Sequence, residues 1–150
     1  MRIEDAIQQQ VFDSMRSKTT INILYTASWF TNALTRILKP FGISWQQFNI
    51  LRILRGQQGK PASLRLVSDR MIDQMSNTSR LIDKLVDKGL VERRECPNDR
   101  RQVDLLVTAE GERVVKEAYE VIDQNMQGRF EHISDQKLKQ LNDLLDELRN

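Results

Sequence analysis

The sequence has very few of the residues on which metal sites and most nucleophilic catalysis depend. Cys96 is its one cysteine and His132 its one histidine. A lone cysteine excludes an intrachain disulfide framework, which suits the cytoplasm. One cysteine and one histidine also fall short of a zinc ligand set. Because the chain has no glycine-rich phosphate loop and no nucleophile–base pair either, we expect no enzymatic activity, no metal and no other cofactor.

Long apolar runs are missing as well. No stretch approaches the ~20 apolar residues that a membrane-spanning helix needs, and no signal peptide is recognisable. Aromatic residues make up 6% of the 150 residues. Aliphatic residues are plentiful, and this length is enough for a single domain with a real core. The sequence therefore predicts a cytoplasmic, one-domain protein without membrane contact.

The charge is weakly positive overall but unevenly placed. The net charge is +2, and residues 109–150 hold six basic and ten acidic residues, a net charge of −4. Residues 1–108 consequently carry a net charge of +6. Positive charge concentrated on one part of a chain is typical of proteins that bind nucleic acid.

Most of the chain shows helical patterns. The first is an apolar stripe at every fourth position: Ile3, Ile7, Val11 and Met15. A second pattern runs from about residue 20 to 38, as one bent helix or two, and Pro40 with Gly42 ends it. Later helix starts are marked by capping residues: Ser44 with Gln47 as a capping box, then Ser63, Thr108 and Ser134.

Residues 76–89 form the most informative of these helical patterns. An apolar arc is expected to pack on the domain: Met75, Thr78, Leu81, Ile82, Leu85 and Val86. The side chains that we predict to contact DNA lie on the polar side: Ser76, Asn77, Ser79, Arg80 and Lys84. Arg80 suits guanine and Asn77 suits adenine, whereas Ser76 and Lys84 suit phosphates. Taken alone, such a face is more often simply solvated.

Asp83 and Asp87 share the polar face and count against DNA contact along its whole length. We therefore limit the predicted reading surface to the first two turns, because the N-terminal end of a reading helix meets the base edges.

A polar, arginine-rich hairpin follows this helix, between apolar strands at about 90–91 and 103–107. Pro97 presets a turn and Asn98-Asp99 suits its tip. Arg100 and Arg101 can enter a narrowed minor groove. Asp99 is expected to fix the direction of an arginine by accepting its hydrogen bonds. A helix followed by an arginine-tipped flap can grip two adjacent grooves of a duplex, which predicts DNA binding, although an ordinary solvated hairpin remains the alternative.

Several motifs in this region resemble those of one family. The pattern Asp99-x-Arg101-x-x-x-Leu105-x-Val107-Thr108-x-x-Gly111 resembles the wing signature of the MarR family of bacterial transcriptional regulators, with valine where that family usually has leucine. SRLIDKL at 79–85 and KGLV at 88–91 resemble its recognition helix and the following strand. GISWQQF at 42–48 resembles the entry to its second helix.

The resemblance implies a mainly α fold with a small β-hairpin wing, in one domain over residues 1–150. A winged helix-turn-helix is expected at about 44–108, flanked by dimerisation helices at about 3–39 and 109–148. The implied function is that of a homodimeric regulator, acting as a repressor on pseudo-palindromic double-stranded DNA. A leucine stripe at 138, 141, 145 and 148 agrees with dimerisation, or else covers the core of its own chain.

Two further expectations concern regulation. Many regulators of this family respond to small aromatic anions, and five aromatic residues are candidates for an effector pocket: Tyr25, Trp29, Phe30, Trp45 and Phe48. The alternative, that they are plain core residues, is favoured. Cys96 in the flap suggests a redox switch, but oxidant-sensing members carry their cysteine near the N-terminus, where this chain has none.

The main functional alternative is a winged helix used as a protein interaction adaptor. The modest overall charge leaves that option open. The two hypotheses differ in whether Arg80 and the Arg100-Arg101 pair are needed for duplex binding.

Overall fold

A computed structural model describes residues 1–95 and 103–150. Its helices and strands follow one another in this order: α1 (Ile3–Ala6), α2 (Met15–Leu38), α3 (Trp45–Arg55), β1 (Ala62–Ser63), α4 (Leu64–Asp69), α5 (Thr78–Asp87), β2 (Val91–Glu95), β3 (Val103–Val107), α6 (Ala109–Phe130) and α7 (Asp135–Glu147). A 3₁₀ turn over Lys39–Phe41 joins α2 to α3 through Gly42, which has a φ of 66°. The predicted mainly α fold with a small sheet is confirmed.

The N-terminal region differs from the predicted stripe. Helix α1 ends at Ala6, and Gln8 has a left-handed φ of 55° that a right-handed helix cannot contain. Helix α2 then starts at Met15, because the Ser14 side chain caps it by accepting the Ser17 N–H at 3.1 Å. The prediction that the apolar positions 3, 7, 11 and 15 lie on one helix is therefore wrong. The second pattern is one continuous helix that begins before residue 20.

The sheet is antiparallel in the order β1-β3-β2, so β3 lies in the middle. Leu105 pairs with Arg93 on one side and with Ala62 on the other. Strand β1 was not predicted from the sequence. It attaches the start of α4 to the base of the hairpin.

The core lies where α3, α5 and α6 meet the sheet. Its most deeply buried large side chains are Leu38, Ile50, Leu51, Val67, Ile82, Leu85, Val91 and Val115. The predicted capping box is present: the Ser44 N–H donates to Gln47 Oε1 at 3.1 Å, and the Gln47 N–H donates to Ser44 Oγ at 3.2 Å. Ser63, Thr108 and Ser134 also cap their helices as predicted.

Candidate nucleic-acid interface

Helix α5 presents a polar face away from the core. Thr78, Ile82 and Leu85 are buried, whereas Ser79, Arg80, Asp83, Lys84 and Asp87 are exposed. The predicted apolar arc is therefore correct except at Met75, which is 94% exposed. Met75 was placed in that arc because the helix was taken to include it, but α5 starts only at Thr78. Arg80 and Lys84 form no ion pair with any residue in the described ranges.

Ser76 and Asn77 lie just before the helix rather than on it. The Ser76 N–H donates to the Asp73 carbonyl at 3.2 Å. Asn77 is the N-cap, and its Oδ1 accepts the Arg80 N–H at 3.1 Å. A bidentate contact with adenine uses both the oxygen and the nitrogen of an asparagine amide. The predicted Asn77 contact would therefore have to share the oxygen with the helix cap, and it stays a prediction.

The wing strands bring a cation next to α5. Arg93 on β2 donates through Nη2 to Asp83 Oδ1 on α5 at 2.5 Å. Asp83, which counted against DNA contact in the sequence, is thus partly neutralised by the wing. Arg94 pairs with Glu92 on the same strand, also at 2.5 Å. The first wing strand is longer than the predicted one at about 90–91, because Arg93 and Arg94 also lie on the paired strand β2.

The tip of the predicted wing, which includes Asp99, Arg100, Arg101 and Cys96, lies outside the described residues. Their predicted roles remain predictions. The described strands establish only where the hairpin leaves the sheet and where it returns.

Thr108 and Gly111 join the wing to α6. The Thr108 N–H donates to the Leu90 carbonyl at 3.1 Å, and its hydroxyl donates to the Gly89 carbonyl at 2.7 Å. The same hydroxyl oxygen accepts the Gly111 N–H at 3.0 Å. Gly111 is buried so close to the wing base that a Cβ would lie 2.1 Å from the Leu90 carbonyl oxygen. These contacts give a physical reason for the Thr108-x-x-Gly111 motif.

Lys88 ties the far end of α5 to the joint between α2 and α3. Its ammonium group donates to the Gly42 carbonyl, and it lies 3.4 Å from Gln47 Oε1. That oxygen is the one that completes the capping box of α3. The C-terminal end of α5 is thereby held against the joint between α2 and α3.

The predicted effector residues differ in how deeply the structure buries them. Phe48 is buried in the core, and Trp45 packs against the core half-buried. Trp29 on α2 is 40% exposed, with the Arg129 guanidinium carbon 4.2 Å from its ring centre and the Phe30 ring edge-on at 5.0 Å.

Two of the clefts along the described residues are lined by side chains other than Tyr25, Trp29, Trp45 and Phe48. One, of about 520 Å³, lies beside the joint that Lys88 closes; the other, of about 230 Å³, lies between α5 and the wing strands. For Phe48 the core alternative is the one that the structure shows. The effector pocket stays a prediction.

Apolar surface remains uncovered on the terminal helices of the single chain. Helix α7 has no buried residue. In the leucine stripe, Leu141 and the C-cap Leu148 are exposed at 49% and 64%, whereas Leu138 and Leu145 are half-buried. Leu144, beside the stripe, is 58% exposed. Leu24 on α2 is 65% exposed. The single chain therefore leaves part of this leucine surface uncovered, and none of the four stripe leucines belongs to the core cluster.

The described part of the chain contains no helix long and apolar enough to cross a membrane. Over the same residues, no group of three or more histidine, cysteine, aspartate or glutamate side chains is arranged to hold a metal ion.

Known proteins share both the sequence pattern and the fold. The model of the MarR family matches residues 43–103. The chain is 30% identical to the HTH-type transcriptional regulator FarR of Neisseria gonorrhoeae over 135 residues, which cover 90% of this chain and 91% of that protein. A structure of NadR in complex with 4-hydroxyphenylacetate is 26% identical, over 93% of this chain and 97% of that chain, with a TM-score of 0.71. A mutant MarR from E. coli complexed with operator DNA has the same fold at 22% identity, over 85% of this chain and 91% of that chain, with a TM-score of 0.73.

Proposed function

The chain belongs to the MarR family, and we propose that it is a DNA-binding transcriptional regulator that acts as a homodimeric repressor. The observation that carries this proposal is the outer face of α5, where Ser79, Arg80 and Lys84 are exposed beside the wing strands. Arginine pairs with guanine in the major groove, and lysine and serine suit phosphates. A regulator of genes works where the bacterial genome is, so we place it in the cytoplasm.

The dimer is proposed from the uncovered apolar surface of α2 and α7. Leucines that remain about half exposed on a terminal helix favour contact with a second copy, because burial of apolar area is the main driving force of association. Two copies related by a twofold axis would present two α5 helices about one DNA turn apart, roughly 34 Å. This geometry fits a pseudo-palindromic operator.

An effector of the aromatic, anionic class is part of the proposal. The NadR structure holds 4-hydroxyphenylacetate, a small aromatic acid. In this chain the cation nearest an exposed aromatic ring is Arg129 above Trp29 on α2. An effector can relieve repression only if it binds better to a dimer whose α5 helices are misplaced for DNA.

The proposal is tested by selecting duplexes from a random pool with the purified protein. The expected result is an inverted repeat whose half-sites are spaced by about one helical turn. Arg80→Ala should then weaken binding to the selected site by about 1–3 kcal/mol and relax base preference at one position of each half-site. The matched control is Arg52→Ala, the same chemical change at an exposed arginine on α3, outside α5 and the wing strands.

Phosphate contacts are tested separately by salt. Binding should weaken steeply as salt rises, and Lys84→Ala or Arg101→Ala should lower affinity evenly across sequences and reduce the salt slope. Unchanged cognate affinity and base preference in Arg80→Ala would show that α5 does not read the bases. Duplex binding that is independent of both Arg80 and the Arg100-Arg101 pair would favour the protein-interaction adaptor instead.

A further inference from the structure

The turn before α5 leaves two apolar side chains exposed, Ile72 at 67% and Met75 at 94%, and Met75 is the one nearer to the helix. At one end of this turn Met71 is 2% exposed in the core, and at the other end Asn77 caps the helix. Between them the Asp73 carboxylate accepts the Met75 N–H at 3.2 Å, and the Asp73 carbonyl accepts the Ser76 N–H at 3.2 Å. The backbone at Met75 is therefore fixed from both sides, while its side chain is 94% exposed.

An exposed methionine alone says little, because single apolar side chains are common on protein surfaces. Met75 is informative because of where it lies. It stands two positions before the N-cap, at the end of α5 that carries the exposed Ser79 and Arg80 of the surface that we assign to base contact. The N-terminal end of a reading helix is the part that enters the major groove. Met75 thus continues the proposed DNA interface with an apolar group.

Among the groups that a major groove offers, one is apolar. Phosphates and the other base-edge atoms are hydrogen-bonding or charged groups, and only the 5-methyl group of thymine gains from contact with a thioether side chain. Methionine suits this contact because its chain is flexible and its sulfur polarizable. We propose that Met75 is a specificity-determining residue that recognises a thymine methyl group in each half-site of the operator. This inference rests on the proposed function.

The experiment uses the full-length protein and the duplex selected from the random pool. Each thymine of the site is replaced in turn by deoxyuridine, which removes only the methyl group. For the wild-type protein, this replacement at one particular thymine of each half-site should lower the affinity for the duplex about fourfold. That loss corresponds to the burial of one methyl group. For Met75→Gln the same replacement should have no effect, because the apolar partner is gone. Met75→Leu should keep most of the effect, because leucine remains apolar.

The matched control is Ile72→Gln, the same loss of an exposed apolar side chain from the same turn, at a residue that is 67% exposed. It should leave the thymine effect at about fourfold. If no thymine position shows an effect that depends on residue 75, the inference is overturned, whether or not other thymines matter. The inference would also be overturned if Met75→Gln changed the mass of the protein in solution but left the effect of the thymine replacement unchanged. Met75 would then be assigned to a contact between two copies of the chain.

The failure of this inference can be told apart from failure of the proposed function. If the wild-type protein selects no duplex, the proposed function itself fails. If it selects a site and depends on Arg80, but no methyl effect depends on Met75, only the present inference fails.

Discussion

Gly111 and Gly128 lie on the same helix, α6, in opposite surroundings. Around Gly128 nothing lies within 4 Å of an added Cβ. At Gly111 an added Cβ would lie 2.1 Å from the Leu90 carbonyl oxygen and 2.8 Å from Val107 Cγ2. The two alanine substitutions are chemically identical, so any difference between them reports the close approach of α6 to the wing base.

The expected effects have opposite signs. Alanine is favoured over glycine in a helix by up to about 1 kcal/mol, so Gly128→Ala should raise the free energy of unfolding by about 0.5–1 kcal/mol. At Gly111 the atom in the way belongs to the backbone and accepts the Thr108 N–H at 3.1 Å, so side-chain rotation cannot relieve the clash. Overpacking typically costs about 1–3 kcal/mol, and a weakened hydrogen bond adds about 1 kcal/mol. Because the helix preference for alanine offsets up to about 1 kcal/mol of these costs, Gly111→Ala should lower the free energy of unfolding by about 1–3 kcal/mol.

The measurement is urea denaturation of both variants and the wild type at one protein concentration, because the stability of a dimer depends on concentration. On heating, the Tm of Gly111→Ala should fall by roughly 2 to 12 °C, and that of Gly128→Ala should rise slightly. Equal shifts of the same sign in the two variants would refute the reasoning, because they would show that the wing base does not restrict Gly111.

Two ion pairs carry the remaining predictions. The first is tested by a double-mutant cycle with Asp83→Asn and Arg93→Gln, in which the free energy of unfolding is measured at low salt. The coupling energy between the two residues should be about 0.5 kcal/mol, because both side chains are largely exposed. Strictly additive effects of the two substitutions would contradict the ion pair. A hydrogen bond from Lys18, with smaller contributions from the backbone and Arg2, lowers the pKa of Glu4 to about 2 from an ordinary value of 4.5. The free energy of unfolding should therefore be higher for the wild type than for Glu4→Gln above pH 4.5, and this difference should disappear as the pH falls to about 2. A difference that stays constant between pH 4.5 and 2 would show that the Glu4 carboxylate does not lose its charge in this range.

The parts of the fold that could be predicted are those that local sequence determines. The Ser44–Gln47 box and the Thr108 cap are contacts between residues three positions apart, so the spacing alone identifies them. The buried face of α5 follows from the helical period, which repeats within the helix. The resemblance to the motifs of the family also made it possible to predict the order of these elements along the chain.

The parts that could not be predicted depend on residues that are distant in sequence. Strand β1 is only Ala62–Ser63, too short for an alternating pattern, and it exists because it pairs with β3. The pairing of Asp83 with Arg93 requires the turn between α5 and β2 to place them side by side. Met75 was misplaced because a helical projection was extended to residues before the N-cap, where the helix has not yet begun.

Helix α7 shows why a second chain matters for the fold as well as for function. An isolated helix of fewer than about 12–15 residues is marginal in water, and most helices in proteins are stabilised by a buried apolar face. Helix α7 has 13 residues and no buried one; its Leu144 and the C-cap Leu148 are more than half exposed. Its own chain therefore supplies little of the free energy that keeps it helical. In the proposed homodimer the second copy would bury this face, so the contact that stabilises α7 is also the contact that sets the distance between the two α5 helices on DNA.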